Sequence, residues 1–257
     1  MFYKKMPRLV LASSLSLFSA GIFADATIVA VASNFTKPMN EIATAFEKAT
    51  GHTAKLSFGA SGKFVAQLEN GGPFEVFLSA DEKSPKKLVQ DGFAVAESQF
   101  TYAVGKLVLW SATPNYVDDQ GQILNKGGFK HIALADPKLA PYGAAAVELM
   151  QGLGLYDKLQ PLFVQGENIA QTQQFISTGN AELGFVALSQ VYENGKIASG
   201  SGWIVPDDKH KAIRQDAILL KTGVENPAAV ALMKFLKSPE ALTIIRQYGY
   251  HLPKIPK

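Results

Sequence analysis

Thr27-Ile28-Val29-Ala30-Val31-Ala32-Ser33-Asn34-Phe35 runs through six strand-forming residues and stops on two small polar ones. Phe35, Met39, Ile42, Ala43, Phe46 and Ala49 then recur at helical spacing until Gly51. The pattern predicts a buried strand that feeds straight into an amphipathic helix. Such a junction aims free backbone N–H groups and the positive end of a helix dipole at one point, which is a way to hold an anion without a cation.

Working outward, the junction recurs. Gly59-Ala60-Ser61-Gly62 follows a strand over 53–58 and opens a helix over 63–70 that Gly71-Gly72 ends; a third strand is expected over 75–79. Pro141-Tyr142-Gly143 follows a strand over 132–135 and opens a helix over 143–152, and Glu167-Asn168-Ile169 precedes a helix over 169–178 and a strand over 183–186. A strand over 102–110, a turn-rich stretch over 115–129, a strand over 217–220 and two helices opened by Pro227 and Pro239 complete the outline. Strands separated by helices of this length imply parallel pairing with right-handed crossovers, with ligands at the carboxyl ends of strands. The expected class is α/β in two lobes. Crossings near 103–106 and 205–208 would leave 25–104 plus 207–257 as a discontinuous lobe 1 and 105–206 as an inserted lobe 2, with a cleft between them.

Charge sharpens the anion reading. The chain has 25 Lys plus Arg against 22 Asp plus Glu, a formal +3, but Lys4, Lys5 and Arg8 supply that whole excess. Residues 1–24 combine a basic start, an apolar run over 9–23 and small residues at the end, the layout of a secretory signal peptide. Cleavage is expected after Ala24, with Ala26 the alternative; a single membrane anchor is the lesser reading, because the run is short and diluted by Ser13, Ser14, Ser16 and Ser19. The mature chain would be net neutral, without the clustered cations that nucleic acid binding needs. With no cysteine there is no thiol to lipidate, no disulfide and no thiolate metal site. A soluble periplasmic protein is expected.

Enzyme motifs fail on inspection. Lys63 stands where a nucleophile elbow needs its second glycine. Ser57 and Phe64 break a phosphate loop at its first glycine and its magnesium-binding hydroxyl. Ser84-Pro85-Lys86-Lys87 satisfies Ser-x-x-Lys without a companion Ser-Asp-Asn, and His52, His131, His210 and His251 show no metal-site spacing. The expectation is no enzyme, no cofactor and no catalytic residue, with a secreted serine hydrolase as the remote alternative.

Four strings in order, Val29-Ala30-Val31-Ala32-Ser33-Asn34-Phe35, Ser57-Phe58-Gly59-Ala60-Ser61-Gly62, Phe74-Glu75-Val76-Phe77-Leu78-Ser79-Ala80-Asp81, and Asp136-Pro137 with Pro141-Tyr142-Gly143, resemble the loops and strands of the molybdate-binding proteins of ABC importers. The similarity covers nearly all of 25–250. It implies a class II periplasmic binding fold, each lobe a mixed sheet flanked by helices, holding molybdate or tungstate between the lobes. It also implies an ABC transporter permease with its ATPase as partner, and a monomer that is not membrane-inserted. Carried over by position, Ser33 and Ser61 would give hydroxyl and N–H donors, Asn34 its N–H, and Tyr142 and Ile169 backbone N–H groups from the second lobe. The metal would be bound only as its oxyanion. Some members place a tyrosine donor where this chain has Ala187, so the shell must be completed otherwise, with Asn34 the candidate.

Taken singly, Ser33, Asn34 and Ser61 are ordinary helix caps, Tyr142 a packing aromatic and Ile169 a core residue. Their convergence at strand ends, together with the resemblance, makes them a site. Asp81 and Asp136 are read as turn and cap residues. A fully deprotonated dianion is matched by donors alone, whereas phosphate keeps a proton near neutrality and gains from an acceptor. The loops at 33–35, 59–62 and 141–143 contain no carboxylate, although Glu167 sits beside the fourth. Sulfate is also a donor-only ligand, so the same fold binding sulfate or phosphate is the near alternative. An amino acid ligand is disfavoured, since Arg214 and Arg246 both lie outside the loops.

Overall fold

The structure, a computed structural model, describes residues 24–253. The expected leader lies outside them except for its last residue, Ala24. The opening run forms β1 (Ala26–Ala32), followed by β2 (Thr53–Gly59), β3 (Val76–Leu78) and β4 (Phe100–Gly105). Next come β5 (Leu107–Ser111), β6 (Ile132–Ala135), β7 (Phe163–Gly166) and β8 (Leu183–Ala187). A short antiparallel hairpin, β9 (Tyr192–Glu193) and β10 (Lys196–Ile197), precedes β11 (Ser201–Ile204) and β12 (Ile213–Leu219).

Two five-stranded mixed sheets result, ordered β2-β1-β3-β12-β4 and β11-β5-β8-β6-β7. In the first, β1 pairs in parallel with β2 and β3, and β12 runs antiparallel to β3 and β4. In the second, β6 is parallel to β7 and β8 while β5 runs antiparallel to β8 and β11. Helices cover both faces of β1. Val29 and Val31 pack with Phe35, Met39, Ile42 and Phe46 on one side, and Ala30 with Phe64, Leu68 and Phe77 on the other. Burial on both faces is why this strand reads as an unbroken apolar run. The second lobe's core, around Leu107, Leu134, Leu149 and Phe185, reaches Ala32 and Ala80 of the first. The lobes are in contact.

One stretch that reads as a single strand is divided. The apolar run over 102–110 is two strands, β4 and β5, in different sheets, parted at Lys106. Periodicity sees continuous burial and not a change of partner sheet. At the break Gly105 leaves room for the Tyr142 hydroxyl, into which a Cβ would run, and Lys106 pairs with Asp207 at 3.0 Å. The last strand of the first sheet is also longer than 217–220, since Gln215 and Asp216 are buried strand residues with hydrogen-bond partners. Ser84 and Lys87 lie on the helix Lys83–Gln90, where Lys87 pairs with Glu69 and Asp91.

Candidate anion site

Four helical starts meet where the lobes touch: the 3-10 turn Ser33–Phe35 and the helix Ser61–Glu69 from the first lobe, and the helices Pro141–Gly152 and Ile169–Ser177 from the second. Ser33, Asn34, Ser61, Tyr142 and Ile169 all line one cavity there, with Ala32, Gly59, Ala60, Ala80, Ala140 and Pro141 completing the wall. The five candidates are between 1% and 6% exposed, so whatever sits among them is stripped of bulk water. The cavity volume is about 10 Å³, room for about one water-sized sphere and far below the roughly 300–1,000 Å³ of sites for drug-sized organic ligands.

The donors can be followed one by one. At the start of Pro141–Gly152, Pro141 has no N–H, and Gly143 and Ala144 both donate to the Ala140 carbonyl, at 2.9 and 3.1 Å. Tyr142 N–H is left without a protein acceptor among the described residues. At the start of Ile169–Ser177 the Asn168 side chain accepts from Ala170 and Gln171 at 2.9 and 3.1 Å, leaving Ile169 N–H likewise free. In the third helix Lys63 and Phe64 donate to the Ala60 carbonyl and Gly62 donates across the cleft to Leu139 at 2.9 Å, leaving Ser61 N–H. First-turn N–H groups have no acceptor in their own helix, so these three are free to donate to a group placed in the cavity. Gly62 eases the close approach, for a Cβ there would lie 3.1 Å from Leu139 Cα and Leu139 would have to give by a few tenths of an ångström.

The hydroxyls divide. Ser61 Oγ accepts from Ala80 N–H at 2.9 Å, which frees its own proton for the cavity. Ser33 Oγ lies 3.4 Å from Asn168 Oδ1, a long contact it can give up for a better acceptor. Asn34 is different. Its carboxamide donates to Gln215 Oε1 and to the Tyr250 hydroxyl, both at 2.8 Å. Its side-chain donors are spent inside the protein, and only the Asn34 backbone is left to face a ligand.

No carboxylate lines the cavity. Glu167, beside the Ile169 turn, is drawn into an ion pair with Lys63 from the opposite lobe. Asp81 accepts from Ser84 N–H and Asp136 from Lys138 N–H, both as turn formers. Ala187 is not in the wall. Its N–H donates to Gln190 Oε1 at 2.9 Å, and Gln190 Nε2 donates to the Ile169 carbonyl at 3.0 Å, so this position supports the Ile169 turn from behind.

Sequence reasoning missed the polar residues behind the site. Gln215, Tyr102, Tyr250 and Ser189 form with Asn34 a buried hydrogen-bonded layer between the anion loops and the strands that cross between lobes, and Gln190 separately holds the Ile169 carbonyl. Burial pushes the Tyr102 and Tyr142 hydroxyls well above the ordinary tyrosine range and Tyr250 up to about 12. They are neutral at any physiological pH. The available signal was Gln215-Asp216 set among the apolar residues of a strand.

Two lobes closing on a buried cavity ringed by helix starts, with free N–H groups and no carboxylate, define a two-lobed solute-binding protein for a small anion. Residues 27–251 match the family model described as bacterial extracellular solute-binding protein. The molybdate-binding protein ModA of Azotobacter vinelandii is 56% identical over 96% of this chain and 98% of its own length. That of Rhodobacter capsulatus is 59% identical over 87% of each. The solved structure of the Azotobacter vinelandii periplasmic molybdate-binding protein superposes with a TM-score of 0.86 at 44% identity, over 89% of this chain and all of that one. The chain belongs to the extracellular solute-binding family, in its branch of molybdate-binding proteins. The sulfate-binding protein SubI of Mycobacterium tuberculosis, at 14% identity and a TM-score of 0.71, shares the fold alone. No helix among the described residues is long and apolar enough to cross a membrane.

Proposed function

We propose that the chain captures molybdate, and tungstate with it, outside the cytoplasm and delivers it to an ABC importer. One observation carries the reading. Ser61, Tyr142 and Ile169, whose N–H groups have no acceptor among the described residues, line from both lobes one buried cavity whose wall holds no carboxylate. A dianion without a proton uses such a shell fully, and each charge-assisted bond contributes about 1.5–3 kcal/mol. Phosphate would leave its proton without an acceptor.

Ser33 and the backbone of Asn34 join Ser61 as the first-lobe half of the shell. The open cleft admits the hydrated ion, and closure brings Tyr142 and Ile169 onto the oxygens that water still covers. The ligand shifts the population toward the closed form by its differential affinity. A membrane permease and its ATPase would read that form, with the binding protein acting as a periplasmic monomer freed from residues 1–24. Capture rather than catalysis is the activity, and it calls for no cofactor.

The test is isothermal titration calorimetry of the mature protein with sodium molybdate, tungstate, sulfate and phosphate. One-to-one binding of molybdate and tungstate, undisturbed by excess sulfate, is the expected result. Silence toward both metalates, or preference for sulfate or phosphate, would discard the named ligand.

A further inference from the structure

Gln215 is fully buried on β12 and touches both halves of the proposed shell. Its Oε1 accepts from Asn34 Nδ2 at 2.8 Å and from the Tyr102 hydroxyl at 3.0 Å. Those donors fix which end of the amide is oxygen, so Nε2 points the other way and donates to the Tyr142 hydroxyl at 3.0 Å. Asn34 belongs to the anion turn of the first lobe, and Tyr142 carries a free N–H of the second. One carboxamide therefore spans the two.

We propose that Gln215 is a positioning residue for ligand capture: its amide ties the Asn34 turn to the Tyr142 turn across the closed cleft and so sets the register of the two half-shells. The proposal rests on the molybdate reading for its ligand. The bond to Asn34 lies within one lobe and persists when the cleft opens. The bond to Tyr142 crosses between lobes and forms only on closure, which makes it a term in the closed state alone. Gly105, at the strand crossing, leaves room for it. A Cβ there would meet both the Tyr142 hydroxyl and Gln215 Nε2, the latter at 2.6 Å. The remaining neighbours complete a hydrogen-bonded layer, with the Tyr250 hydroxyl 2.9 Å from both the Asn34 carbonyl and Ser189 Oγ, and the Tyr102 hydroxyl, whose one proton goes to Gln215 Oε1, 3.1 Å from the Ser79 carbonyl. A buried network of this kind favours one arrangement.

A glutamine here supplies one acceptor and one donor without charge. Glutamate has the same shape but presents acceptors only, and once ionised it adds a negative charge behind an anion site. Burial raises the pKa of such a carboxyl. The test compares the wild type with Gln215→Leu and Gln215→Glu by calorimetry with sodium molybdate, and by small-angle scattering to follow closure. Gln215→Leu is expected to bind about tenfold to a hundredfold more weakly, and to contract only at correspondingly higher molybdate. Gln215→Glu is expected to lose affinity progressively from about pH 6 to about pH 9 as its carboxyl ionises, over a range where the wild type stays flat. Wild-type affinity in a folded Gln215→Leu protein, or a loss in Gln215→Glu that is the same at every pH, would overturn the proposal.

A double-mutant cycle with Tyr142→Phe, read as Kd for whichever of molybdate, tungstate, sulfate and phosphate the wild type binds, separates this failure from that of the molybdate reading. Affinity losses that combine to less than their sum support the cross-lobe bond even if the wild type ignores molybdate, strictly additive losses refute it, and a wild type that binds none of the four overturns both readings.

Discussion

Ser61→Ala removes one oxygen that does two jobs, and the structure allows their costs to be separated. The hydroxyl accepts from Ala80 N–H at 2.9 Å and, with its proton free, donates into the cavity. Losing a donor to a charged oxyanion costs about 1.5–3 kcal/mol, roughly a tenfold to 150-fold rise in Kd. Losing the acceptor for Ala80 N–H, at a residue only 2% exposed, costs about 1–3 kcal/mol of folding free energy. That second cost is present with and without ligand, so it cancels in Kd and shows in unfolding. Molybdate calorimetry reads the first and urea denaturation of the ligand-free protein reads the second. Ser33→Ala is the contrast, since among the described residues its hydroxyl has one hydrogen-bond partner, Asn168 Oδ1 at 3.4 Å: it should weaken binding with little effect on the urea midpoint. A folded Ser61→Ala protein that loses stability yet binds molybdate as before would show that the hydroxyl serves only Ala80.

Gly105→Ala should weaken molybdate binding by at least about tenfold, because its Cβ would occupy the space of the Tyr142 hydroxyl and oppose closure; calorimetry checks this, and an unchanged Kd would contradict it. Lys63→Gln and Glu167→Gln should move affinity in opposite directions. The pair is half-exposed and worth about 0–1 kcal/mol as a bond, but losing the lysine leaves an unpaired carboxylate beside a dianion, whereas losing the glutamate removes it. Titrations at low and high potassium chloride should show both effects shrink with salt. Tyr250, pushed up to about 12 by burial, keeps its proton in the folded state while an unfolded tyrosine releases its own near about 10. The unfolded state then binds fewer protons, so the stability contributed by this group is complete below about pH 10 and is lost as pH rises toward about 12. Urea midpoints across that window should fall less steeply for Tyr250→Phe than for the wild type.

Much of the fold is written as local pattern. Thr27 to Ala32 followed by Phe35, Met39, Ile42 and Phe46 states a strand, a direction change and a buried helix face within twenty residues, because strand and helix bury side chains at different periods. Glycine and proline punctuation at Gly51, Gly71 and Pro141 bounds the elements by the same local rules. The sheet to which a strand belongs is not a local property, and 102–110 illustrates it. Leu107 to Trp110 are as buried as Tyr102 and Ala103, yet they pair with β8 and β11 rather than β12. The candidate site divides likewise. Ser33, Ser61, Tyr142 and Ile169 stand at helix starts, where orphan N–H groups follow from geometry. Gln215 reaches Asn34 across 181 positions of chain and Gln190 reaches Ile169 across 21, and no spacing rule reaches that far.

The absence of a cation from the cavity wall bears on how such a site can choose its ion. A lysine or arginine in the shell would attract any anion, follow it on a flexible stem and lose strength with salt. In the proposed shell the donors are backbone N–H groups fixed by four helical starts, the Ser61 hydroxyl held by Ala80 N–H and the Ser33 hydroxyl beside Asn168. They cannot follow a smaller ion inward. The gap between the half-shells is set by contacts that close at hydrogen-bonding distance, Gly62 on Leu139, Ser189 on the Asn34 carbonyl and Gln215 on Tyr142. An oxyanion with shorter bonds to its oxygens must leave donors on one side stretched, and hydrogen bonds weaken steeply with distance and misalignment. Discrimination between dianions of equal charge then depends on the rigidity of the contacts behind the shell. Substitutions at Gln215 or Gly62 should therefore erode preference for molybdate over sulfate more than they erode affinity for oxyanions in general, a difference that competition calorimetry can measure.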